Sequence, residues 1–105
     1  MKESVIQRGI LDYLALVAKT KPIYFFRAGS GAVKTDQGRF FKTGRSGISD
    51  IFCLYDGKCI ALEVKGPKGR QTQSQKKAEQ DIKAAGGEYY IVRSIADVKK
   101  IIPLD

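Results

Sequence analysis

With 105 residues, 43% of them hydrophobic, the chain suits one domain with a modest core and is too apolar to be a disordered polymer. Nineteen Lys and Arg against eleven Asp and Glu leave a formal charge of +8, which favours a polyanion as partner, and nucleic acid over a membrane surface, since no stretch reads as a basic amphipathic anchor. There is no His, so imidazole is excluded as acid, base or ligand; any catalysis must come from carboxylates, lysine, hydroxyls or a metal held by oxygen.

No apolar run is long enough to span a membrane. The N-terminal MKESVIQRG mixes charges with its apolar residues and lacks the core of a secretory signal, which points to the cytoplasm. Apolar residues at Ile6, Ile10, Leu14 and Val17 predict a helix over residues 3–19. IYFFR, residues 23–27, reads as a strand. Residues 29–47 form a glycine-rich, basic segment, with Phe40 and Phe41 on a short strand. Two strands follow, 49–55 and 58–65, joined by Asp56-Gly57, a strong hairpin signal. A helix over 72–85 stops at Gly86-Gly87. A strand over 88–93 and a helix over 95–102 complete the order α-β-β-β-α-β-α, a mixed sheet flanked by helices. Cys53 and Cys59 make no zinc signature, point to opposite faces in the expected register, and read as small core residues.

The hairpin is the most informative stretch. If Asp56-Gly57 is a two-residue turn, Tyr55 pairs with Lys58, and the ladder runs back until Asp50 lies opposite Glu63. Lys65, two positions on, shares their face. A three-residue turn would instead put Asp50 on the other face. Both faces of the two strands are apolar, as in a strand covered on both sides. Opposed carboxylates repel, and a bridging cation relieves this; oxygen-only ligands suit Mg²⁺ or Mn²⁺. The plainer reading is of strand-end charges, with Glu63 paired to Lys65.

Gly47-Ile48-Ser49-Asp50-Ile51, Ala61-Leu62-Glu63-Val64-Lys65-Gly66-Pro67 and Thr72-Gln73-Ser74-Gln75, together with Glu3, Gln7 and Gly86-Gly87, resemble the VRR-NUC domain of the PD-(D/E)XK nuclease superfamily. The likeness covers nearly the whole chain, residues 1–105, as a stand-alone protein of the phage or bacterial type. Ser49 stands where the superfamily's name has Pro, a position without catalytic chemistry. The resemblance implies a restriction-endonuclease-like α/β fold and Mg²⁺- or Mn²⁺-dependent phosphodiester cleavage. It also implies a homodimer acting on four-way (Holliday) junctions. In that reading Asp50, Glu63 and the Val64 carbonyl hold the metal, and Lys65 orients water or stabilises the transition state.

Two residues have double readings. Glu3 either complements the dipole of its helix or, on the face it shares with Gln7, Ile10 and Leu14, reaches the metal site. Gln75 either closes a capping box with Thr72 or, on the stripe it shares with Ala78, Ile82 and Ala85, serves the active site. Lys68, Arg70, Lys76 and Lys77 read as phosphate contacts beside the site. Lys42 and Arg45, with Lys34 and Arg39, read as a grip on a second backbone. Gly66-Pro67-Lys68-Gly69-Arg70 lacks the Walker pattern, so no nucleotide cofactor is expected. A defence-type or flap nuclease and an inert nucleic-acid-binding module on the same fold are the rival readings. Apolar surface for a dimer is sought at Phe40 and Phe41 or at Ile101, Ile102 and Leu104.

Overall fold

The computed structural model describes residues 1–28, 37 and 47–105, and the backbone of 32–34 and 40–42. Its elements are α1 (Glu3–Val17), β1 (Ile23–Arg27), β2 (Ala32–Lys34), β3 (Phe40–Lys42), β4 (Ile51–Tyr55), β5 (Lys58–Val64), α2 (Gln73–Ala84), β6 (Glu88–Val92) and α3 (Ile95–Ile101). Four strands form the main sheet in the order β1-β4-β5-β6. All neighbours in it are antiparallel except β5 and β6, which are parallel and are joined through α2. The expected element order therefore holds for this sheet. In addition, β3, expected at Phe40 and Phe41, pairs with the unanticipated β2 in a separate two-stranded sheet. No helix among the described residues is long and apolar enough to cross a membrane.

The register of β4 and β5 comes from their turn. Asp56 and Gly57 both have positive φ, 54° and 74°, the requirement of the tight turn whose twist matches the flanking strands. Tyr55 consequently pairs with Lys58, and the ladder runs to Ile51 opposite Leu62. Period-2 alternation then sends Ile51, Cys53, Ile60, Leu62 and Val64 to one face, where they are buried against Ile6, Ile10, Leu14 and Val17 of α1 and Val98 of α3. Each such aliphatic side chain contributes about 1.5–3 kcal/mol. Tyr13 joins the C-terminus to this core by donating its hydroxyl to the Ile102 carbonyl (2.8 Å).

The other face corrects two expectations. Ala61 and Tyr89 are buried there, but α2 lies over the β6 side of the sheet and contributes no fully buried residue of its own. Tyr24, Phe26 and Leu54 remain 67%, 50% and 55% exposed, so apolar residues on both faces of β4 do not mean cover on both faces. Phe26 and Phe52 stack with ring centroids 5.9 Å apart. Cys59 is exposed and is no core residue; only Cys53 is buried. Ile102, sought as interface surface, is fully buried in the core, and Ile101 packs against it. Ala85, expected on the sheet-facing stripe of α2, is exposed. The side chains of Phe40 and Phe41 lie outside the described residues.

Candidate active site

Four strand ends meet at one edge of the main sheet. The pairing directions bring out β1 at Arg27, β5 at Glu63-Val64-Lys65 and β6 at Val92-Arg93, while β4 enters there just after Asp50. This edge carries ionisable groups although the strands leading to it are almost wholly apolar.

Glu63 alternates with the core residues Leu62 and Val64 and so points to the opposite face, beneath the first turn of α2. It is only 2% exposed. Gln75 Nε2 donates to Glu63 Oε2 (3.1 Å), while Gln75 Oε1 accepts from the Thr72 N–H (2.9 Å). Thr72 Oγ1 in turn accepts from the Gln75 N–H (3.2 Å). The two readings of Gln75 are therefore not rivals: one end of its amide closes the capping box and the other holds Glu63. Gly47, at φ 75°, lies against this turn; a Cβ there would stand 2.2 Å from the Ser74 carbonyl oxygen. Only glycine lets the chain approaching Asp50 pass so close to α2.

The β4–β5 ladder stops at Ile51, so Asp50 is not a paired strand residue. It bends instead, and its Oδ2 accepts from the Val64 N–H (2.8 Å), while its carbonyl accepts from the Ala28 N–H (2.8 Å). These bonds hold Asp50 beside Glu63 between β1 and β5. Lys65 is 7% exposed and its Nζ lies 4.0 Å from Glu63 Oε2. The plain pairing of Glu63 with Lys65 is thus present too, at the outer limit of an ion pair.

That pairing does not satisfy Glu63. Its Oε1 is buried and has no hydrogen-bond partner among the described residues. Burial above all, then the adjacent Asp50 carboxylate, pushes the Glu63 carboxyl up to about 8; Lys65 acts in the opposite direction, and Glu3 adds a small further rise.

Glu3 enters from α1. A Cβ on Gly69 would be 3.2 Å from Glu3 Oε2 and 3.3 Å from Lys65 Cδ, so the bare Gly66–Gly69 turn lets both side chains approach. Arg93 Nη1 fastens that turn through the Gly66 carbonyl (2.6 Å). A cavity of about 210 Å³ opens beside it, lined by Glu3, Ser4, Gln7, Arg27, Asp50 and Val64. Arg27 is the member that sequence reasoning missed. Its position at the end of IYFFR carries no chemical motif, and only the pairing of β1 with β4 brings it to Asp50.

The donor set suits a hard divalent cation. It offers carboxylate oxygens, one of which, Glu63 Oε1, is buried and has no hydrogen-bond partner among the described residues. Among the described residues no three acidic, Cys or His side chains form a cluster able to hold a metal ion.

The basic residues are less gathered. Lys68, Arg70, Lys76 and Lys77 are exposed on the turn and α2 next to the site, with Lys77 engaged by Asp81 (3.0 Å). Arg39 and Arg45 and the side chains of Lys34 and Lys42 lie outside the described residues.

No family model and no curated protein matches the sequence. The fold does have a solved counterpart, described as a VRR_NUC domain, which matches with a TM-score of 0.68 at 18% identity over 95% of this chain and 92% of that one. A likeness at that identity is a likeness of fold, and it agrees with the architecture that the sequence motifs imply.

Proposed function

We propose that this chain is a Mg²⁺- or Mn²⁺-dependent endodeoxyribonuclease that cuts branched DNA, four-way junctions above all. The observation that carries the reading is Glu63: a buried carboxyl beside Asp50, with one oxygen unpartnered among the described residues and a pKa raised to about 8. A structural glutamate gains nothing from this arrangement, whereas a metal ligand requires a carboxylate that is positioned before the metal arrives. The resemblance of the motifs and the shared fold support the same assignment.

Asp50 and Glu63, with the Val64 carbonyl, would hold the cation. When bound, it supplies an acidified water and neutralises charge on the scissile phosphate. The chain's own groups do the rest. Gln75 fixes the rotamer of Glu63, and the Val64 amide fixes that of Asp50. Lys65, nearly dehydrated, places a positive charge at the edge where negative charge accumulates during phosphodiester hydrolysis. Glu3 closes the α1 side of the site. Lys68, Arg70, Lys76 and Lys77 extend the positive surface along the substrate, and the net charge of +8 makes that binding salt-dependent.

Paired cuts in a four-way junction need two sites, and these 105 residues carry the motif set once. A two-fold dimer meets that need and matches the junction's symmetry. The exposed Tyr24, Phe26 and Leu54, with the half-buried Phe52 stacked on Phe26, give apolar area for it, in place of the C-terminal isoleucines. Light scattering at micromolar concentration should return twice the 11.6 kDa chain mass.

The test compares linear, flap and four-way DNA with and without chelator. Metal-dependent cleavage of the four-way substrate is expected. Preference for flaps or plain duplex would move the chain to the rival nuclease classes. Binding without cleavage under any metal would make it an inert module.

A further inference from the structure

We propose that Arg27 is a substrate contact, gripping the non-bridging oxygens of the scissile phosphate from the α1 side of the site; this rests on the nuclease reading above. The argument starts from placement. Arg27 is the last residue of β1, paired with Ile51, and the next residue, Ala28, bonds the Asp50 carbonyl. Two consecutive residues thus tie Arg27 to the segment that carries Asp50, so the guanidinium is delivered by a rigid element and not by a loop.

Its surroundings select the ligand. Ile23 and Phe25, on the same side of β1 as Arg27, pack against the core beneath α1. Arg27, one alternation further, emerges beyond the core into the cavity with Glu3, Ser4, Gln7, Asp50 and Val64. Arg27 is the only cation among the described residues lining it, against two carboxylates. The lining alone is one charge negative; a divalent cation makes it one charge positive, and a single phosphodiester brings it to neutrality. At about 210 Å³ the cavity has room for a phosphate group, and every lining residue except Val64 is polar or charged.

The type of side chain narrows the choice further. A guanidinium is a planar fork that binds two oxygens of one phosphate at once, and it stays charged beside a metal. Lys65 follows β5 and Arg27 ends β1, and Asp50 immediately precedes β4, the strand between them. In the cavity itself Arg27 is the cation beside Asp50, while Lys65 lies with Glu63. Ser4 and Gln7 add a hydroxyl and an amide on the helix face that forms the cavity wall.

The alternative role is structural: Arg27 neutralises Asp50 and touches no substrate. The two separate experimentally in the full chain, using wild type, Arg27→Ala and Arg27→Lys. Mn²⁺ affinity by electron paramagnetic resonance, melting temperature, and kcat and KM on a four-way junction are measured together. The expected result for Arg27→Ala is Mn²⁺ binding as tight as wild type or tighter, an unchanged melting temperature, and kcat/KM lower by about a hundredfold. Arg27→Lys should recover part of the loss, because charge remains and the fork does not. Wild-type kcat/KM in Arg27→Ala overturns the proposal. So does a loss of cleavage matched by loss of Mn²⁺ affinity or of melting temperature. If wild type itself cuts no DNA, the nuclease reading fails and the phosphate site is judged on its own. Thymidylyl-thymidine is then added with Ca²⁺, and the Arg27 Nε–Hε signal, identified by its absence in Arg27→Ala, is followed by ¹⁵N spectroscopy. A shifted signal upholds the site and an unmoved one removes it.

Discussion

The β4–β5 hairpin has two ends built from the same two strands, and they have opposite characters. At the turn end, Asp56 and Gly57 stand in solvent with positive φ, and Leu54, Lys58 and Cys59 are exposed around them. At the open end, Ser49, Glu63 and Lys65 are buried polar residues, and both Ser49 Oγ and Glu63 Oε1 lack a hydrogen-bond partner among the described residues. The turn end obeys every local rule for a stable hairpin. The open end breaks the rule that buried polar groups are satisfied, as functional sites do, at a cost in stability borne by the rest of the fold. One end makes the register, and the other uses it.

The sharpest way to break the contrast is at the open end. Asp50→Asn and Glu63→Gln should each reduce cleavage to background while junction binding in Ca²⁺, read by anisotropy, persists. Lys65→Ala should lower kcat by about a hundredfold or more. Normal cleavage by either carboxylate variant would remove this end from the chemistry altogether.

The same end should show itself in stability when metal is removed. The Glu63 carboxyl, at about 8 in the folded chain against an ordinary value of 4.5, holds its proton through a window in which the unfolded chain has lost it. Stability is therefore highest below pH 4.5 as far as this group is concerned, and falls as pH rises from there toward 8. Urea unfolding of chelator-treated protein across that range should show the decline in wild type and a flatter profile in Glu63→Gln. Identical profiles would mean that Glu63 is ionised and satisfied.

A subtler comparison uses the two ends of one amide. Thr72→Ala and Gln75→Ala should each cost about 1 kcal/mol through the helix cap. Only Gln75→Ala should also slow cleavage, since only it frees Glu63. Equal activity in the two variants would make Gln75 a cap and nothing more.

At the turn end the effects should be small and purely structural. A Cβ on Gly57 meets nothing within 4 Å, so Gly57→Ala is strained only by its φ of 74°, and a loss of about 1 kcal/mol with unchanged kcat is expected. Smallest of all, Cys59→Ser should lie within about 0.5 kcal/mol of wild type. In the native protein a thiol reagent should modify Cys59 alone, because Cys53 is buried and its thiol is pushed up to about 12.

The local parts of this molecule were legible in the sequence because their causes are local. Period-2 hydropathy and an Asp-Gly pair specify a hairpin and its register within a span of a few residues, and that register alone brings Asp50, Glu63 and Lys65 toward one end. Thr72 and Gln75 similarly announce a helix start, and the motif set implies the fold that the structure adopts. What the sequence left open depends on contacts between elements far apart in the chain. Alternation cannot say whether an apolar face is covered, so Leu54 and Cys59 looked like core until α2 was seen to lie over the β6 side. The dual use of Gln75 depends on how α2 sits over β5, and the reach of Glu3 on how the N-terminus of α1 meets the Gly66–Gly69 turn. Arg27 is the clearest case. Nothing around it in sequence marks it, and it joins the site only because β1 pairs with β4 and ends beside Asp50. Register is decided by turn chemistry and a two-residue period, both of which are written locally; which strand ends become neighbours is decided by how the whole sheet buries its apolar face, and that is settled only when the chain has folded.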